Sequence, residues 1–188
     1  MVAAIRRFTI ADLDAMPDDG RRYELIDGEI FVAAAPSWIH QQVVGNLHLF
    51  LRAWIDPRAL GQIALAPIDI LLNESSAVQP DLVYVSSAKL INIRGGRYHG
   101  APDLAVEVIS PTNRDYDTIT KLFRYARTGV QEYWLIDPVS RTVQVLALTD
   151  GIYVPQTANV QGHYASVVLP GLLIDPDAIF IPVVGDQV

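Results

Sequence analysis

Apolar and polar positions along this chain repeat with two periods. Behind Pro36-Ser37, the residues Ile39, Val43, Leu47, Phe50, Leu51 and Trp54 recur at helical spacing up to Asp56-Pro57. That spacing predicts a long amphipathic helix. A second helix is expected from about Arg114 to Thr128, with Ile119, Leu122, Phe123 and Ala126 inward and Gly129 as its C-cap. A short helix is expected after Thr9, where Asp12 three residues on completes a capping-box pattern and Pro17 ends the run. Residues 21–35 read as a hairpin, because Asp27-Gly28 is a favoured two-residue turn between β-rich runs. Further strands are expected at Ile63–Leu72 and Leu82–Val85, joined by the polar turn NESSAVQ. Three more fall at Leu104–Ile109, Glu132–Ile136 and Thr142–Leu148. Residues 86–100 read as a loop or short helix, and weaker β structure follows Asp150-Gly151 to near Val184. Helices and strands mix without regular βαβ alternation. The expected class is α+β: one domain over residues 1–188, with a central mixed sheet flanked by helices.

Composition narrows the function. With 51% hydrophobic and 19% charged residues, the 188-residue chain has enough apolar surface to fold. The formal charge of -7 disfavours a protein that coats nucleic acid nonspecifically, while leaving room for a small basic site. Cysteine is absent, which excludes disulfides, thiol nucleophiles and Cys-based zinc sites. No apolar run approaches the ~20 residues of a membrane span. Arg6 and Arg7 stand where a secretory signal would be apolar. A cytoplasmic protein without a membrane partner is expected.

No phosphate loop, GxSxG elbow or GxGxxG is present. His40 and His48 share a helix but lie about 12 Å apart along its axis, too far for one metal, and read as structural or surface residues. Four positions stand out instead. Glu107 lies inside LAVEVI, apolar on both sides, where a carboxylate needs a partner. A structural salt bridge is the ordinary alternative. Asp81 opens the strand DLVYV. If that strand runs antiparallel beside Leu104–Ile109, its start meets the other's end and Asp81 approaches Glu107. Asp103 lies about 13 Å from Glu107 along the same strand and cannot share an ion with it. Lys121 is one of two lysines against twelve arginines, and it shares a polar helix stripe with Arg124, Tyr125 and Thr128. A solvated helix face explains that stripe equally well. Glu24, in YELIDGEI, faces either solvent or the same site.

Taken in order, YELIDGE at 23–29, His40, QPDLV at 79–83, VEVISP at 106–111, Lys121 with Tyr125, and GVQEYWLID at 129–137 resemble the Uma-type restriction endonuclease family of the PD-(D/E)XK nuclease superfamily. The resemblance covers about residues 9–175. It implies a restriction-endonuclease-like core and a Mg²⁺ (or Mn²⁺) site, with Asp81, Glu107 and the carbonyl of Val108 as ligands. It also implies Asp81, Glu107, Lys121 and Glu24 as the catalytic set. The superfamily lysine position holds Ile109 here, and the helix residue Lys121 takes its place. The implied activity is metal-dependent hydrolysis of phosphodiester bonds in DNA, with Arg94, Arg97, Arg114 and Arg124 on the backbone and a homodimer as the expected assembly. Two other classes stay open. One is an inactive nuclease-fold module that binds nucleic acid or protein. The other is a metal-free carboxylate hydrolase that works in chelator.

Overall fold

A computed structural model describes residues 7–110 and 114–180. In chain order it contains α1 (Ile10–Asp14), β1 (Arg22–Ile26), β2 (Glu29–Ala33), α2 (Trp38–Ile55), β3 (Gly61–Leu65), β4 (Ile70–Asn73), β5 (Ser76–Val78) and β6 (Leu82–Ser86). A 3₁₀ turn then leads to β7 (Ile93–Arg94), β8 (Arg97–His99) and β9 (Leu104–Val108). A π-helical stretch, Tyr116–Lys121, runs on into α3 (Leu122–Thr128). β10 (Glu132–Asp137), β11 (Thr142–Thr149), β12 (Ile152–Pro155), β13 (Tyr164–Ala165), β14 (Leu173–Ile174) and α4 (Pro176–Ile179) complete the described chain. The class is mixed α+β, as the sequence pattern predicts. No helix among the described residues is long and apolar enough to cross a membrane.

Among the described residues, the strands form two six-stranded sheets and a small two-stranded one, rather than the single central sheet expected from sequence. The central sheet runs β12-β11-β10-β9-β6-β3, with β9 and β10 parallel and β6 and β9 antiparallel. The hairpin joins the other sheet, β2-β1-β5-β4-β8-β7. Its turn places both Asp27 (φ 52°) and Gly28 (φ 81°) in the left-handed region, as a two-residue hairpin loop requires.

Two expectations about strands are corrected. The run 63–72 is two strands, β3 and β4, in different sheets. Pro67 lies between them, and a residue without an N–H cannot continue a ladder. The segment NESSAVQ is also more than a turn. Ser76–Val78 is a buried strand, held to the hairpin where Ser76 Oγ accepts a hydrogen bond from the Asp27 N–H at 3.1 Å. The weak β structure expected to run to near Val184 extends outside the described residues.

Alternation splits the central sheet into two covered faces. Leu82, Tyr84, Leu104, Val106, Trp134 and Ile136 pack with Val43, Leu47, Leu51 and Ile55 of α2. Those helix residues recur every fourth position, and burying each contributes roughly 1.5–3 kcal/mol. Val83, Val85, Ala105, Ile109, Tyr133 and Leu135 face the other way, against Ile70, Val78 and Tyr98 of the second sheet and Tyr125 of α3. Glu107 shares this second face with Ala105 and Ile109.

The stretch 114–128 follows its apolar pattern only in part: Ala126 is buried and Leu122 packs against the core, but Ile119 and Phe123 do not. Ile119 is 52% exposed and Phe123 64%, whereas Lys121 is 3% exposed and Arg124 and Tyr125 are buried. The polar stripe faces inward because the surface it meets carries carboxylates.

Candidate active site

The antiparallel pairing of β6 with β9 places Leu82 opposite Val106. Asp81 therefore begins its strand where Glu107 nears the end of the other. Asp81 Oδ2 accepts from the Val108 N–H at 2.9 Å and lies 3.0 Å from His40 Nε2, while Arg22 Nη1 lies 3.7 Å from Oδ1. His40 reaches Asp81 because Ser37 caps α2 and its Oγ accepts from the His40 N–H, fixing His40 in the first helical turn. Burial opposes the Asp81 charge, but His40 and the Val108 N–H prevail and hold the carboxyl below its ordinary value.

Lys121 is the centre of a buried ionic cluster. Its Nζ lies 2.8 Å from Glu107 Oε1, 3.1 Å from Glu24 Oε1 and 3.7 Å from Asp117 Oδ1. Tyr125 Oη donates to Glu107 Oε1 at 2.9 Å, and the Gln79 N–H donates to Glu24 Oε1 at 2.6 Å. The π-helical stretch is anchored where Tyr133 Oη donates to the Asp117 carbonyl at 3.0 Å. Burial works against the ammonium, yet Glu107, Glu24 and Asp117 together hold it well above the ordinary lysine value. Burial, reinforced by the other carboxylates, raises the Glu107 carboxyl well above its usual range, against the pull of Lys121. Burial likewise pushes Asp117 up to about 6.

A small cavity of about 30 Å³ is lined by Arg22, Glu24, His40, Asp81, Glu107, Asp117 and Lys121. The structure thus brings all four sequence candidates together and adds three residues. His40, read from its spacing as structural or surface, contacts Asp81. Asp117 contacts Lys121, and Arg22 approaches Asp81. The signal for Asp117 was its place four residues before Lys121, on one helix face. His40 stood in the pattern that carries the family resemblance, but its spacing from His48 gave no sign of a contact with Asp81.

Of the four arginines expected on the phosphate backbone, Arg124 is corrected and the other three already have partners in the fold. Arg124 is buried and paired with Asp27 of the hairpin. Arg114 pairs with Asp137, and Arg97 pairs with Asp14 and Asp69. Each of these three guanidinium groups satisfies an internal carboxylate. Arg94, the fourth, bonds the Ile91 carbonyl.

The residues meet a divalent ion in part. The donor set is hard oxygen, and four carboxylates face Lys121 and Arg22, so negative charge is in excess. Among the described residues, however, no three His, Asp or Glu side chains are grouped to hold one metal. An ion here would rest on two carboxylates and a main-chain carbonyl, and would keep several waters, which is how Mg²⁺ is commonly bound.

Comparison with known proteins follows the same line. A family model described as "Uma2: Putative restriction endonuclease" matches residues 10–177. The fold matches the crystal structure of "a putative nuclease belonging to DUF820" from Anabaena variabilis ATCC 29413, with a TM-score of 0.75 and 17% identity. The match covers 92% of this chain and 97% of that one. No protein of curated function matches.

Proposed function

The chain belongs to the Uma2 family, and from that premise we propose that it is a metal-dependent endonuclease that hydrolyses phosphodiester bonds in DNA. The observation that carries this reading is the convergence of Asp81, Glu107, Glu24 and Lys121, from four separate elements, on one cavity at the end of β6 and β9.

Asp81, Glu107 and the Val108 carbonyl would hold the ion. Mg²⁺ or Mn²⁺ held there supplies polarisation of the scissile phosphate and an acidified water. His40 and the Val108 N–H keep the Asp81 carboxylate ionised and oriented. Tyr125 aims Glu107, and Glu24 and Asp117 aim the Lys121 ammonium. Positive charge placed beforehand beside the growing charge on the phosphate oxygens stabilises the transition state without reorganisation. Asp117, near 6, is matched to taking a proton at neutral pH.

The test is incubation of supercoiled DNA with Mg²⁺, Mn²⁺ or chelator, comparing wild type with Asp81→Ala. Nicking by wild type with metal alone is expected. The absence of three grouped metal-ligating side chains among the described residues favours a second reading, a non-catalytic module. DNA left intact with every ion would establish that reading, and cleavage in chelator would establish metal-free hydrolysis.

A further inference from the structure

A second, larger opening adjoins the carboxylate cavity. Its volume is about 360 Å³, within the ~300–1,000 Å³ of pockets that enclose a small organic ligand. Arg22, His40 and Asp81 line both spaces, so the groove leads directly to the cluster. Its other walls are small and apolar: Ala33 to Pro36 on one side, Ala66 and Pro67 on the other. Arg21 and Gln41 add polar groups, and the pair of Arg21 with Asp19 is exposed.

We propose that this groove receives one unpaired nucleotide, so that the substrate is single-stranded DNA or a strand with an extruded base. The proposal rests on the endonuclease reading. Two observations carry it. First, the groove is of a size to enclose one base and sugar against small apolar groups, and the guanidinium groups of Arg21 and Arg22 match the flanking phosphate. Arg22 stands at the junction, 3.7 Å from Asp81, where a phosphate would pass from groove to cluster. Second, duplex binding needs cations along both strands. Here Lys89, Arg97, Lys121 and Arg124 are held in at least partly buried pairs with carboxylates of the same chain. A net charge of -7 disfavours the extended phosphate contacts of a duplex, and a substrate seated by one nucleotide needs few. One strand is cut by one site, so such a substrate does not require the paired protomers that a duplex cut invites.

The test measures binding of labelled oligothymidine and of a blunt duplex by fluorescence anisotropy in chelator. Cleavage of both is followed in parallel with Mg²⁺ or Mn²⁺. Oligothymidine is expected to bind about tenfold or more tightly than duplex, with a log-log salt slope of about -1, one to two phosphates' worth. Ala34→Trp fills the groove from an exposed position, so its melting temperature should match wild type while oligothymidine binding falls about tenfold, as for loss of one stacked base. Duplex bound as tightly as oligothymidine, or full binding by Ala34→Trp, overturns the proposal. Duplex cut equally well by both proteins would overturn the groove and keep the endonuclease. Oligothymidine bound in the groove but never cut would keep the groove and remove the endonuclease.

Discussion

Two buried glutamates sit on neighbouring strands of the central sheet and have opposite fates. Glu107 is on β9 and Glu132 is on the parallel β10, where it pairs with Leu104. Glu132 shares the α2 face with Trp134 and Ile136, while Glu107 shares the opposite face with Ala105 and Ile109. The partners of Glu132 are neutral. Trp134 Nε1 donates to Oε1 at 2.5 Å, and Ser166 Oγ, the Val167 N–H and the Val168 N–H donate to Oε2 at 2.8, 2.7 and 3.0 Å. Those bonds tie residues 166–168 to the sheet and bring Leu169 and Leu172 into the core. Around Glu107 the carboxylates outnumber the cations, and the cluster opens onto a cavity. A buried acid saturated by dipoles is a fastener. A buried acid crowded by like charges has unmet affinity for a cation, and its neighbourhood can do chemistry.

The largest effect on this contrast should come from Lys121→Met. Removing the one ammonium leaves Glu24, Glu107 and Asp117 facing each other in the interior. Breaking such a buried pair costs about 3–5 kcal/mol, and urea unfolding will read it. DNA cleavage should fall roughly 10²–10³-fold for the lost electrostatic stabilisation. The double variant Lys121→Met, Glu107→Gln should regain much of the stability and none of the activity. A single variant as stable as wild type would show that the ammonium does not hold the cluster together.

Glu132→Ala should come next, at about 3 kcal/mol, because several buried donors lose their acceptor at once. Below its melting transition, that variant should cleave at the wild-type rate per folded molecule. A parallel loss of rate would mean that the two faces of the sheet are coupled.

The third difference is in pH. Asp117, pushed up from 3.8 to about 6, holds a proton in the folded protein that the unfolded chain has already released. Its contribution to stability is present below about pH 4 and is lost as the pH rises through about 6. Across that window wild type should lose on the order of 3 kcal/mol relative to Asp117→Asn, measured by thermal melts at successive pH values. Parallel curves for the two proteins would remove Asp117 from the cluster's electrostatics.

The smallest effect belongs to Ser166→Ala, which takes one of the four donors from Glu132 and should cost about 1 kcal/mol in urea unfolding with no change in cleavage.

Periodicity alone determined much of this molecule. The helical spacing of Ile39, Val43, Leu47, Phe50, Leu51 and Trp54 specified α2, Asp27-Gly28 specified the hairpin, and the runs DLVYV and LAVEVI specified two strands whose antiparallel pairing brings Asp81 to Glu107. These features depend on contacts close in sequence or on one pairing of adjacent strands. Which face of 114–128 turns inward was not legible in the same way. Two of its apolar positions, Ile119 and Phe123, point out although Leu122 and Ala126 pack inward, and its lysine points in, because Glu24 and Glu107, from strands far back in the chain, supply the opposite charge that makes burying an ammonium tolerable. Arg124 likewise found Asp27 before it could find a phosphate, and His40 found Asp81 across 41 residues. A helix's own pattern states which side is cheaper to bury against hydrocarbon. Only the assembled fold states what that side will meet.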